Sequence, residues 1–475
     1  MSMRLSRAAL LVGLGLASAV ALLPPAPAVA VGGPTHLALV MPLVAPANST
    51  GLISAEALEL YTAPGGVLTR ELAAVIDTPV TIGIDPMLIA SIRVLGAAAP
   101  ESAIAWLERL GAATNDTFAL GYADTDLTLA IQAGATAVPE PDGFEFAIDP
   151  ALLAPAPGGT QTPEPTASAD PGEPRLATSE ELLAWPYTLP AIAWPRAGTV
   201  SASDLAIIAR NGYATTLVSS GNVTGVRGAT GKVDGASILI ADDAVSAALR
   251  DAATGAVPVA AVTAAATAND TGLVLAAMDR VPPVSSSVLS EVVAALTLDP
   301  AITLVSIREA IALTPVAATI AEQPQSAERL ARAGSLLTAE AADARFASIV
   351  ETPGLIRGER RLALLAMLSN AWAANPVGWT RASDSFLADS IELRDSVQVA
   401  EIAGLLLVAD SSQYLPVNVD NTLDQAVTVY VTLRPTTAVL AVLERRVQIV
   451  VPPASQVRVD VPVQSLTNGT VDFVV

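Results

Sequence analysis

Between Thr35 and about Arg308, short apolar runs of strand length alternate with stretches of helical spacing, and this alternation constrains the fold more than any other feature of the chain. Strand candidates are His36–Leu43, Pro79–Ile84, Thr117–Ala123, Pro190–Trp194, Ala214–Val218, Ala236–Ala241, Val257–Val262 and Thr303–Val305. Helical stretches such as Pro100–Gly111, Ser201–Asn211 and Ala244–Asp251 lie between them. Strands that take turns with helices must pair in parallel, because each crossover helix returns the chain to the same end of the sheet. The expected fold class is therefore α/β. About eight units fit a closed β/α barrel, with an open sheet as the alternative.

The period changes along the chain. Ala154–Pro174 is a Pro-, Gly- and Thr-rich insertion with no apolar face, which reads as a disordered linker within the barrel-like domain, taken as residues 31–318. Ala327–Val350 and Glu359–Ala374 show helical spacing and define a small helical subdomain, residues 319–402. From about residue 403 the period becomes two. Leu415–Val419, Ala426–Leu433, Arg446–Val451 and Gln456–Val461 alternate apolar with polar residues between turn signals at Asp420-Asn421, Pro452-Pro453 and Asn468-Gly469. An immunoglobulin-like β-sandwich without its disulfide is expected for 403–475, interrupted at Val475 within a strand.

The first thirty residues read as a signal peptide. Arg4 and Arg7 form a positive region, Ala8–Leu23 is uncharged, Pro24-Pro25 breaks any helix, and Ala28-Val29-Ala30 supplies small residues for cleavage. A retained membrane anchor is the alternative, since the apolar run is nearly long enough to span. The protein is expected to be secreted or extracytoplasmic in either case. Membrane association would come through an uncleaved N-terminus or a C-terminal anchor missing from this chain.

Charge and composition exclude several functions. The net charge is −21, which repels phosphate backbones and argues against nucleic-acid binding. There is no cysteine and a single histidine, His36. Thiol proteases, N/S-ligated zinc sites and HExxH proteases are thereby excluded. His36 sits at a strand start without a G-x-S-x-G elbow and reads as structural. Lys232, the single lysine, lies in Gly225–Gly235, where Val226 and Val233 break the phosphate-loop pattern and Ala229 breaks the Ser-x-x-Lys pattern. That segment reads as a glycine-rich surface loop.

Carboxylate chemistry survives this elimination and needs no metal or cofactor. In a β/α barrel the residues just past each strand face the mouth. These are Asp85, Asp124 and Asp126, Arg196, and Asp242 with Asp243. Paired carboxylates are the minimum for glycoside hydrolysis, so Asp85, Asp124 and Asp126 are candidate catalytic residues, with Tyr122, Trp194 and Arg196 as candidate ligand-binding residues. The competing role is helix capping, which an aspartate ahead of a helix commonly performs; Asp85-Pro86 has the form of a helix start.

The segments YTAPGGVLTREL, TPVTIGIDPMLIASIRVLG and APESAIAWLERL within Gly51–Leu110 resemble a family of exported, often membrane-anchored envelope proteins. FALGYADTDL, LPAIAWPRAGTVSASDLAIIARNGYATTLV and LALLAMLSNAWAANPVGW extend the resemblance over most of the chain. The family occurs in high-GC Gram-positive bacteria, often encoded near the lipid II flippase. The near-exclusive use of arginine over lysine fits such a source. The resemblance implies an envelope setting and a role in cell-wall assembly, with a cell-wall glycan or a lipid II pathway component as partner.

More distantly, the barrel region resembles β/α-barrel glycoside hydrolases and polysaccharide deacetylases. Trp194-Pro195-Arg196 matches a Trp-Pro-Glu-like motif with arginine where the acid would be, and the deacetylase histidines are absent. These departures imply a degenerate barrel that binds or scaffolds without turnover. An active glycoside hydrolase using the paired aspartates is the alternative, and interaction through an exposed sandwich edge is a third reading.

Overall fold

The N-terminal strand β1 (Thr35–Leu43) is buried from Leu37 onward, as a strand covered on both faces must be. This computed structural model describes residues 33–149, 177–269, 271–278, 280, 286–400, 413–467 and 471–475. The signal-peptide segment 1–30 and the insertion 154–174 lie outside the described residues.

Among the described residues the sheet of β1 holds β2 (Thr81–Ile84), β3 (Thr117–Ala119), β4 (Ile192–Ala193) and β5 (Thr215–Ser219), then, past β6 (Val223–Thr224), which pairs apart from it with Thr319–Ile320, β7 (Thr230–Val233), β8 (Ala236–Ala241), β9 (Leu273–Ala277), β10 (Ile302–Val305) and the short strand Val316–Ala317 beside β7. The order β3-β2-β1-β9-β8-β5-β4 is parallel throughout. β1 pairs with β9 along one side, and on the other with β10 through Thr35–Ala38 and then β2 through Val40–Leu43. No ladder joins β3 to β4, although the backbone N–H groups of Thr188 and Leu189, just ahead of β4, both donate to the Thr117 carbonyl at 3.2 and 3.0 Å.

Strand periodicity divides the side chains into two cores. Ala38, Val40, Phe118, Ile192, Leu217 and Leu239, drawn from five strands, form one cluster. Leu37, Leu39 and Met41, pointing the other way from β1, pack with Ile82, Val274 and the helices outside the sheet.

Two expectations need correction. Val257–Val262 is not a strand: Val259–Thr267 is a helix behind Pro258. Alanine dominates that segment and has the highest helix propensity, while proline is favoured at helix starts. The buried strand in this region is β9, the short run LVLAA. The stretch around Lys232 is also not a plain loop, because β7 pairs antiparallel with β8 from Thr230↔Leu239 to Val233↔Ala236. Its turn is Asp234-Gly235, with both residues at positive φ (48° and 93°), the signature of a tight hairpin turn. His36 pairs with Glu309 at 2.9 Å on the surface.

Three helices follow the sheet: Ala327–Phe346, Pro353–Met367 and Pro376–Asp395. The last two begin with proline in the first turn, where the missing N–H costs nothing. Their apolar faces meet Leu129 and Ala130 of helix Leu127–Gln132. Antiparallel sheets complete the chain: Gln413–Asn421 pairs with Ser455–Ser465, and Val427–Val431 with Val447–Val451. Their core includes Val417, Val427, Val451 and Val461, with Ala347 and Ile356 from the helical part. Among the described residues, no helix is long and apolar enough to cross a membrane.

A buried ion cluster locks the three helices together. Asp343, fully buried, accepts from Arg360 Nε at 2.8 Å, Arg394 Nη1 at 2.7 Å and Ser390 Oγ at 2.6 Å. Removing the acid leaves a buried guanidinium without its counter-charge, a change that typically costs about 3–5 kcal/mol. Asp343→Ala is expected to lose about that much in chemical denaturation. Asp343→Asn, which keeps an acceptor, should lose less.

Candidate functional site

The turn after β3 reads Gly121-Tyr122-Ala123-Asp124-Thr125-Asp126, and it concentrates the polar groups of the sheet's C-terminal end. Ala123 and Asp124 both take left-handed backbone conformations (φ 56° and 47°), which cost energy for residues with a Cβ and persist only where the surroundings fix them. Asp85 supplies part of that fixing. Its carboxylate caps helix Pro86–Val94 by accepting from Met87 N–H at 2.9 Å, and it also receives the backbone N–H groups of Ala123 and Asp124.

Asp124 turns away from its neighbours to meet Arg280. Arg280 Nε lies 2.9 and 2.7 Å from the two carboxylate oxygens, its Nη2 donates to the Trp194 carbonyl, and its guanidinium stands 4.8 Å from the Trp194 ring centroid. Asn370 Nδ2 donates to the Asp124 carbonyl at 3.0 Å. Asp126 caps helix Leu127–Gln132 by accepting from Leu129 N–H at 3.2 Å. It also accepts from Thr128 Oγ1 and Gln325 Nε2, both at 2.8 Å, and lies 3.4 Å from Arg329 Nη2.

All three aspartates are 2% exposed or less. Burial pushes the Asp85 carboxyl well above its ordinary range, with the charge of Asp124 adding to it against the backbone donors. Burial also raises Asp124, partly offset by Arg280 and Asn370. The cover is the helical part of the chain. Asp126 N–H donates to the Leu368 carbonyl at 2.8 Å, Thr125 Oγ1 to the Leu365 carbonyl at 3.3 Å, and Thr125 bridges to Ser369. Beside this contact Gly51 sits at φ +73°, where a Cβ would stand 2.2 Å from the Leu362 carbonyl oxygen. Only glycine permits that approach.

The other half of the C-terminal face stays open as a cleft of about 710 Å³. Its walls are the ends of β1, β4, β5, β8 and β9, and its far side is the 3-10 turn Asn370–Ala374. Of the residues singled out from the sequence, Trp194, Arg196 and Asp243 line it. Trp194 is only 8% exposed and lies between Arg280 and Phe118 (ring centroids 6.4 Å), so it offers an edge and not an open platform. Tyr122 is buried elsewhere, donating to the Gly51 carbonyl at 2.7 Å with its ring against Phe144. Asp242 caps helix Asp243–Ala253 through Val245 N–H and accepts from Asn269 Nδ2.

The chain belongs to the family of unknown function DUF6049. The family's profile matches residues 26–475. No curated protein matches the sequence. Among solved structures, a novel α-amylase from Thermotoga maritima superposes with a TM-score of 0.45 at 10% identity, covering 76% of this chain and 93% of that one. An exo-type maltose-forming amylase from Pyrococcus sp. ST04 gives 0.41 at 10% identity over 75% and 79%. At these values neither bears on what this DUF6049 chain binds or does.

Arg280 and Asn370 are the site residues that sequence reasoning missed. Arg280 follows β9, and placing that strand at Leu273–Ala277 would have put it at the mouth by the rule that selected Asp85. Asn370 lies 246 residues from Asp124 and carries no local signal. Among the described residues no group of three His, Cys, Asp or Glu side chains is placed to hold a metal ion.

Because Asp85 binds its proton more tightly when folded than when unfolded, its contribution is most favourable at low pH. That contribution is lost as pH rises above about 3.9, the ordinary aspartate value, toward the raised folded value. Asp85→Asn is expected to flatten the fall of melting temperature across this range. An unchanged slope would show that Asp85 does not titrate in this way.

Proposed function

We propose that this protein is a cell-envelope binding protein whose α/β body is a degenerate carbohydrate-type barrel. The cleft at its strand ends holds a cell-wall glycan or a lipid II pathway component without cleaving it. The observation that carries this reading is the state of the carboxylates. Asp85 and Asp126 cap helices and Asp124 is held by Arg280, each beneath the helical cover. A glycosidase needs two carboxylates facing a common open space, one to donate a proton and one to attack or activate water.

The barrel reading draws support from the single cluster of inward side chains and from the bonds of Thr188 and Leu189 to Thr117 at the unladdered seam. We read the C-terminal antiparallel sheets as an immunoglobulin-like sandwich, and take the boundaries as 31–318, 319–402 and 403–475. Export through the segment 1–30 places the protein outside the cytoplasm, with membrane attachment through an uncleaved N-terminus or a further C-terminal anchor.

A hydrolase using Asp85 with Asp124 or Asp126 is the alternative. It draws on one observation, a buried carboxyl with a raised pKa beside a second acid, which is the arrangement expected of a general acid. It requires the contact of Leu365–Asn370 with the β3 turn to open.

Purified peptidoglycan incubated with the protein separates the two. Retention on the insoluble wall with no sugar released, in wild type and in Asp85→Asn and Asp124→Asn alike, is the expected result. Release by wild type that disappears in both variants would establish the hydrolase.

A further inference from the structure

We propose that the cleft is an oxyanion site, in which Arg196 receives a carboxylate or phosphate group of the ligand. This rests on the cleft being the binding site of the proposed function, and it adds the chemical class of what binds there.

The pairing of the arginines carries the inference. Around the site and in the helical part, the buried and half-buried arginines other than Arg196 are matched to acids: Arg280 to Asp124, Arg329 to Asp126, Arg332 to Asp384, Arg360 and Arg394 to Asp343, and Arg361 to Glu340. Arg196 is half-buried in the cleft wall, and its guanidinium has no hydrogen bond or ion pair among the described residues. The chain carries 46 acids against 25 bases, yet among the described residues none pairs with Arg196. The carboxylate that does line the cleft, Asp243, accepts from the Gly221 N–H at 2.8 Å. Burial lowers the pKa of Arg329, and the charge of Arg196 adds to that lowering against Asp126. The Ser219 hydroxyl, half-buried at the end of β5 in the same cleft, also has no partner among the described residues.

A half-buried guanidinium without a counter-charge is unfavourable by itself, and an incoming anion relieves it. Its planar fork of N–H donors matches a carboxylate or phosphate in two parallel hydrogen bonds. Arg250 and Arg280 also line the cleft, each with partners of its own, which leaves Arg196 as the guanidinium there without one among the described residues. A strongly acidic protein thus presents one half-buried, unpaired guanidinium in a cleft of a size suited to a small ligand. The overall charge repels long polyanions and leaves a compact acidic sugar or a phosphorylated headgroup as the fitting class.

The test titrates the full exported chain with three probes: a glucuronic acid-containing disaccharide, inorganic pyrophosphate and neutral chitobiose. Wild type should bind at least one anionic probe more tightly than chitobiose, with affinity falling as salt rises. Binding by the acidic sugar alone identifies a carboxylate ligand, and binding by pyrophosphate alone identifies a phosphate. Arg196→Gln should weaken the anionic probe about tenfold or more, and Arg196→Lys should recover only part. Arg458→Gln, on a surface pair with Asp460, should leave binding unchanged. Equal affinity for acidic and neutral probes, unaffected by Arg196→Gln, would overturn the oxyanion assignment. Ala373→Trp, which fills the cleft from its exposed side, tests the underlying reading separately. If wall retention survives that substitution, the cleft is not the binding site at all.

Discussion

Backbone groups of Leu365 and Leu368, together with Ser369 and the Asn370 side chain, dock on the turn that follows β3, and the character of the whole C-terminal face depends on that contact. It binds a segment of the helical part to a turn some 240 residues earlier. It requires the close approach that glycine alone allows at position 51. It also removes from solvent the three aspartates that a β/α architecture would otherwise present at its mouth. Without that cover Asp85 and Asp124 would be solvated acids. Beneath it, burial raises both carboxyls, and each depends on protein donors for its hydrogen bonds.

Those donors show how the buried acids were accommodated. A carboxylate away from water is tolerable only if its lone pairs are filled by N–H or O–H groups or by a counter-charge. Asp85 is filled by the Met87 N–H at its helix start and by backbone N–H groups of the β3 turn, and Asp126 by the Leu129 N–H together with Gln325 and Thr128. Asp124 has no helix to cap and is met by Arg280 in two contacts. The left-handed backbone at Ala123 and Asp124 is the cost of aiming that carboxylate, and the Asp85 side chain helps hold the turn in place. The three acids therefore act together as a polar floor that joins the sheet, its following helices and the helical cover.

The open half of the same face follows a different logic. There the strand ends of β4, β5, β8 and β9 present small and apolar side chains around Arg196 and Ser219, two groups whose polar atoms the described protein leaves unsatisfied. The contrast between a satisfied floor and an unsatisfied wall directs attention to binding at the wall, and away from chemistry at the floor.

The sequence alone determined the α/β class, because strand and helix periods are local: His36–Leu43, Pro79–Ile84 and Ala236–Ala241 lie within two residues of the strands observed. It determined the capping by Asp85 and Asp126 as an alternative to catalysis, because a cap is a contact between residues two or three apart. It misplaced one strand at Val257–Val262, since an apolar, alanine-rich run has no period to separate strand from helix. Tertiary structure decided which acids reach solvent and which cleft arginine lacks a partner among the described residues. Asp124 meets Arg280 across 156 residues and Asn370 across 246, and burial at such distances depends on how whole elements pack, which no local pattern encodes.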